Sequence, residues 1–212
     1  MAKYGSTSFK DTNFGILPRE KLVKLEEKGV KKGLDYISSL NQNVIKTTDI
    51  DIPLILKLHK ISYAWIFPKW AGKFRTIDVA YSGKEAIEYF KVREAITNLC
   101  LDLKVRMNHL SSKNNSKYIT NVIELVSWFQ HRFVQIHPFN DYNGRTARML
   151  TSFLLLKFDL PAIEIKADNK SDRKKYIRAM QEADEGNYSN LEKLIASALE
   201  EGLQKFDLKL KT

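Results

Sequence analysis

From Ala86 onward, the apolar residues of this 212-residue chain recur at three- and four-residue spacings, the period of an α-helix. Ala86, Ile87, Phe90, Ala95, Ile96, Leu99 and Leu103 form one stripe, and Ile119, Val122, Ile123, Val126, Phe129 and Phe133 form a second. Earlier, Leu22, Leu25, Val30 and Leu34 predict a helix over Pro18–Leu40, and Leu54, Ile55, Leu58 and Ile61 predict another after Pro53. Residues 71–83 break the period. Gly72, Phe74, Thr76, Ile77, Val79 and Tyr81 are β-prone, and Ser82-Gly83 closes them, which predicts a short hairpin. The expected fold class is therefore all-α with one small hairpin. Residues 1–17 are polar and without period and predict a loosely held arm. The chain divides into residues 1–45, an arm and helix packed on the core, and residues 46–212, the main domain.

Composition narrows the class. An apolar share of 43% and a charged share of 28% suit one sizeable soluble core. No stretch approaches the roughly 18–20 apolar residues of a membrane span, and no apolar segment follows Met1 as a secretory signal requires. A lone cysteine, Cys100, fits a reducing, cytoplasmic setting. The net charge of +10 would suit nucleic acid or nucleotide phosphates. The lysines are scattered, however, and do not interleave with aromatic residues as a strand-binding groove requires, so a nucleic-acid partner is disfavoured.

The chemistry concentrates where the second stripe ends. His137-Pro138-Phe139-Asn140-Asp141-Tyr142-Asn143-Gly144-Arg145-Thr146-Ala147-Arg148 leads into a third apolar run at Leu150, Phe153, Leu154 and Leu155. Proline cannot continue a helix and disfavours the helical conformation at His137. A polar loop is thus held between two apolar helices. The N-terminus of the second helix offers unpaired N–H groups and the positive end of its dipole, which attract anions. Gly144 permits close backbone approach, and Arg145 and Arg148, three residues apart, can clamp one polyphosphate. Asp141 is a hard oxygen ligand suited to Mg²⁺. His137 can act as a general base near neutral pH.

This segment closely resembles the signature of the Fic family, H-P-F-x-[D/E]-G-N-G-R-x-x-R. Every fixed position matches except Tyr142, where the family usually has Gly. Gly72-Lys73-Phe74-Arg75-Thr76 looks like the start of the family's flap, and Tyr176–Gln181 with Ala183–Asn187 looks like its closing helices. The resemblance implies an all-α, Fic-type helical bundle with a short β-hairpin flap over the active-site loop. It also implies a protein adenylyltransferase that moves AMP from ATP to a Ser, Thr or Tyr hydroxyl of a target protein. His137 would be the base, Asp141 would hold Mg²⁺, and Asn143, Gly144, Arg145 and Arg148 would bind phosphates. Tyr176, Ile177 and Asp184 would border the nucleoside, and Val79, Ala80, Tyr81 and Ser82 would dock the target.

Many Fic proteins carry an inhibitory [S/T]-x-x-x-E-[G/N] motif whose Glu pairs with the second motif arginine. Here Ser197 and Glu201, followed by Gly202, fit that pattern, and helical spacing places Glu201 beside Leu194 and Ala198. The competing arrangement is a separate antitoxin protein donating the glutamate, or an N-terminal motif, of which residues 1–50 hold no match; an antitoxin or self-association is thus an expected partner. Rival functions are a basic nucleic-acid-binding helical protein and a Fic scaffold silenced by Tyr142. Within the enzyme class, a de-AMPylase stays open. A Fic-type kinase, which carries Lys where this chain has Gly144, is disfavoured.

Overall fold

The computed structural model describes residues 9–167 and 169–210. The elements run β1 (Phe9–Thr12), β2 (Gly15–Pro18), α1 (Arg19–Ser39), α2 (Gln42–Thr47), α3 (Ile52–Tyr63), β3 (Ala80–Tyr81) and β4 (Lys84–Glu85). A single 3₁₀ turn (Tyr89–Lys91) then leads to α4 (Val92–Asn108), α5 (Tyr118–Ile136), α6 (Asn143–Lys157), α7 (Lys170–Asp184) and α8 (Ser189–Leu210). The all-α expectation holds, with two small antiparallel hairpins, β1–β2 and β3–β4.

Helix starts follow capping chemistry. Asp51 accepts a hydrogen bond from Leu54 N at the start of α3, and Asn41 and Asn169 do the same for α2 and α7. The centre of the core is α5, whose Val122, Val126, Phe129 and Phe133 are fully buried. It packs against α6, α4, α8 and α7, while α1 lies across α3 and α6. Burial of each such large apolar side chain contributes about 1.5–3 kcal/mol. Among the described residues, no helix is long and apolar enough to cross a membrane. Cys100 is partly buried, and burial, aided by Asp51, pushes its thiol up to about 12.

Three expectations are corrected. Residues 9–17 of the predicted loose arm form, with Pro18, the β1–β2 hairpin, tied to the body by Asn13 N donating to Ile66 O at 2.8 Å. Residues 1–8 of that arm lie outside the described residues. The stripe that begins at Ala86 is not one helix: α4 starts only at Val92, and Phe90 is 67% exposed. Finally, the predicted 71–83 hairpin is shorter and later, with a two-residue turn at Ser82-Gly83, both at positive φ, as hairpins favour. Residues 71–79 form no strand, although Val79 O still accepts from Ala86 N at 3.0 Å, and Arg75 ties this stretch to its surroundings. Its fully buried guanidinium donates to the carbonyls of His137, Ile77 and Ile87.

Two glycines set how closely α1 approaches α3. A Cβ on Gly29 would stand 2.5 Å from the Ser62 carbonyl oxygen, and one on Gly33 would stand 2.4 Å from Ser62 Oγ. Gly29→Ala should therefore destabilise the protein by about 1–3 kcal/mol in urea unfolding, because overpacking against backbone outweighs the gain in helix propensity. Gly33→Ala meets movable side chains and should cost less. A higher unfolding midpoint for Gly29→Ala would contradict this packing.

Candidate active site

The helix α5 stops where Pro138 forbids its continuation, and His137 turns into the left-handed region at φ 53. Its carbonyl accepts from Arg75 Nε at 2.8 Å, and Pro138 O accepts from Arg75 N at 2.9 Å. The imidazole Nδ1 lies 3.1 Å from Val134 O. A carbonyl only accepts, so Nδ1 carries the proton and Nε2 of the neutral ring keeps its lone pair. The ring is stacked on Tyr81 of the β3–β4 hairpin at 4.5 Å. Burial holds the His137 pKa below its ordinary 6.5, against the Val134 carbonyl and the Asp141 charge. His137 is thus neutral at pH 7.

Beyond Pro138 the loop is closed by its own side chains. Asn143 Oδ1 accepts from Phe139 N at 2.8 Å and its Nδ2 donates to Phe139 O at 2.9 Å. The side chain predicted to meet phosphate therefore braces the loop, and Asn143 is left to offer an anion its backbone N–H. Phe139 is fully buried and stacks on His59 at 3.7 Å. His59 Nδ1 accepts from Gly72 N at 2.8 Å, so its Nε2 donates to Asp141 O, 3.2 Å away. Burial lowers His59 to about 4, and it stays a neutral brace.

Tyr142, the departure from the family pattern, sits at φ 63. A non-glycine residue there costs about 1–2 kcal/mol. Its phenol points into the core, stacked on Tyr63 at 4.2 Å and Trp70 at 5.9 Å, with its hydroxyl donating to Glu26 at 2.8 Å. Burial of that ring offsets the backbone cost, and the ring lies away from the N–H groups that begin α6.

Those N–H groups, on Asn143, Gly144 and Arg145, are the ones a helix start leaves without intrahelical partners. A Cβ on Gly144 would lie 3.9 Å from Arg148 Nη1, which places that guanidinium over the first turn of α6. Arg148 also lies over the Tyr176 ring at 5.3 Å. Arg145 Nη1 donates to Glu26 Oε2 at 2.8 Å. The Asp141 carboxylate pairs with Lys10 of β1 and accepts from Tyr142 N at 2.7 Å. Desolvation would raise its pKa, and Lys10 outweighs that, so Asp141 is held below the usual carboxylate range.

A hard cation fits Asp141 in one respect. It is a partly exposed carboxylate just before the first turn of α6, and Mg²⁺ typically takes one or two protein carboxylates with phosphates and waters. Among the described residues, no cluster of three His, Cys, Asp or Glu side chains offers a protein cage.

The predicted nucleoside border does come together. Tyr176, Ile177 and Asp184 line a small cavity with Tyr81, Ser82 and His131. Lys84 of β4 reaches across to Asp184 at 2.7 Å, and Asp184 also meets buried His131 at 3.1 Å. On the other side of the hairpin, a cavity of about 620 Å³ is lined by Tyr81, Lys84, Asn98, Asp102, Trp128 and Arg132. Ser197 is exposed on α8, and Glu201 Oε1 accepts from Lys166 Nζ at 2.8 Å.

Sequence reasoning missed Lys10, Glu26, His59 and His131, which lie outside the motif, and gave Arg75 no role. For His59 and Glu26, a polar residue on the apolar face of a predicted helix was the available signal.

A family model described as the Fic/DOC family matches residues 49–155. The protein adenylyltransferase Fic of Aedes aegypti is 29% identical over 177 residues, covering 82% of this chain and 32% of its own length. That of Nematostella vectensis is 26% identical over 176 residues, covering 82% of this chain and 38% of its own. The chain thus spans about a third of the length of these curated relatives. Among solved structures, a fragment of Fic-1 from C. elegans matches with a TM-score of 0.66 at 22% identity, over 92% of this chain and 54% of that one. The BepC protein of Bartonella tribocorum, solved with bound AMPPNP, matches at 0.68 with 18% identity, over 92% and 93%. At these identities the structures carry the fold.

In an NMR titration of the imidazole protons, His137 and His131 should become half-protonated below 6.5, and His59 near 4. A His137 midpoint at or above 6.5 would contradict the buried, Nδ1-protonated geometry.

Proposed function

The chain belongs to the Fic/DOC family, and from that premise we propose that it transfers AMP from ATP to a hydroxyl side chain of a target protein. The observation that carries this reading is the His137 imidazole, neutral and with Nε2 unprotonated, at the loop that opens onto the N-terminus of α6. In the proposed reaction Nε2 takes the proton of the target hydroxyl. The oxygen attacks the α-phosphorus, the bond from that phosphorus to the bridging oxygen breaks, and pyrophosphate leaves with the electron pair.

The other side chains divide the work. The N–H groups of Asn143, Gly144 and Arg145 and the Arg145 and Arg148 guanidiniums would bind the phosphates. Tyr176, Ile177 and Asp184 would border the nucleoside. Asp141 would hold Mg²⁺, which when bound supplies charge neutralisation at the phosphates. Val79, Ala80, Tyr81 and Ser82, in the flap, would pin the target segment by strand addition. Relatives named protein adenylyltransferase and a Fic neighbour solved with AMPPNP support ATP as co-substrate.

In the Ser197–Glu201 brake, the Glu201 carboxylate would pair with the Arg148 guanidinium. The Lys166–Glu201 pair is largely exposed, and such pairs are worth about 0–1 kcal/mol, so it holds the carboxylate only weakly. If the brake operates, Glu201→Gly raises auto-modification with labelled ATP, and an unchanged rate removes it.

His137→Ala should cut AMP transfer by about 10²–10⁴ while leaving the circular dichroism spectrum intact. Full transfer by that variant would end the base assignment. In the unaltered protein, transfer should be flat from about pH 7 to 8 and fall on acidification only below 6.5, because the neutral imidazole is the active form.

A further inference from the structure

Glu26 lies in the second turn of α1, 119 residues from Arg145 in sequence, and it is completely buried. A buried carboxylate is unfavourable unless its lone pairs are taken by good donors. Here they are: Oε1 accepts from Arg19 Nη1 at 2.9 Å and from the Tyr142 hydroxyl at 2.8 Å, and Oε2 accepts from Arg145 Nη1 at 2.8 Å. Two of the three donors belong to the active-site segment.

Packing does not call for an acid at this place. The docking face of α1 is already built by Leu22, Gly29, Gly33 and Ile37. The tight approach at Gly29 and Gly33 fixes that helix against α3, and so fixes where the carboxylate stands. Glu26 is therefore a rigid post beneath the first turn of α6.

The consequence falls on Arg145. Its guanidinium is held by Glu26 on one nitrogen and stands 5.6 Å from the Tyr142 ring. A guanidinium has five N–H donors in a planar fork, so the remaining donors stay available in one orientation. An arginine held this way gives up less freedom when it meets an anion than one that swings on a flexible stem. Tyr142 completes the device: a Gly at this position could not bond Glu26, whereas the tyrosine links post and loop directly.

We propose that Glu26 is a positioning residue for nucleotide binding, acting through Arg145 and Tyr142 to aim the guanidinium at the phosphates. The proposal rests on the reading of this loop as a nucleotide site. The first variant is Glu26→Gln, which keeps shape and can still accept from Tyr142 but loses the charge that orients Arg145.

Affinity for AMPPNP with Mg²⁺ is measured by calorimetry on the full chain. Glu26→Gln should weaken it by about 10- to 100-fold, the usual range for groups that orient a ligand-binding residue. The KM for ATP should rise in step, with kcat changed much less. Arg145→Ala should show a comparable loss, and the double variant should bind no worse than Arg145→Ala alone, because the two residues act as one unit. A purely structural role for Glu26 would instead give additive losses. If Glu26→Gln fails to fold, Glu26→Asp, which keeps the charge but withdraws it by one methylene, is held to the same criteria. Unchanged affinity, tighter binding, or additivity in the double variant would each overturn the proposal. Binding is read without turnover, so a chain that bound nucleotide yet transferred no AMP would overturn the transfer reading alone.

Discussion

Between Ile136 and Asn143 the chain turns at the edge of the apolar core, and the backbone polar groups that this turn buries must be satisfied by protein partners. Four side chains meet this demand. Arg75 takes the His137 carbonyl, Asn143 bridges both backbone groups of Phe139, His59 donates to the Asp141 carbonyl, and the Asp141 carboxylate accepts from Tyr142 N. With those bonds made, His137 and the first turn of α6 are held on the same loop, and two long apolar helices fix both ends of it. The placement of the His137 imidazole and of the first turn of α6 is thus a consequence of one solved backbone problem.

The same bonds couple the loop to distant elements. Arg75 also holds the carbonyls of Ile77 and Ile87, so the backbone at both ends of the β3–β4 hairpin is tied to the loop it covers. Tyr81 on His137 and Lys84 on Asp184 then lay that hairpin between two cavities, the small one against α7 and the large one against α4. From the other side, α1 and the β1–β2 hairpin bring Glu26 and Lys10 to the motif. These two residues are opposite in effect. Glu26 is buried and pairs with Arg145, while Lys10 is partly exposed and pairs with Asp141.

Tyr142 shows how a departure from a pattern is absorbed. The left-handed backbone is unfavourable for a tyrosine, yet the ring enters a cage of Tyr63, Phe67 and Trp70 and finds an acceptor in Glu26. The aromatic cluster Tyr63–Trp70 is visible in the sequence, but its purpose as a receptacle for Tyr142 is not.

The sequence by itself determined the helical class, the helices over residues 19–39 and 118–136, the break at Pro138 and the residues of the motif. Each of these follows from local periodicity, from proline's missing N–H, or from side-chain chemistry at short spacing. It did not determine the length of the flap, the hairpin at residues 9–18, or the roles of Arg75, His59, Glu26 and Lys10. Those depend on which groups lie opposite one another after folding, over separations of up to 131 residues, and no local pattern encodes that. Glu201 makes the same point. Helical spacing aligned it with Leu194 and Ala198, and its carboxylate also accepts from Lys166, supplied by the loop before α7, which periodicity cannot see.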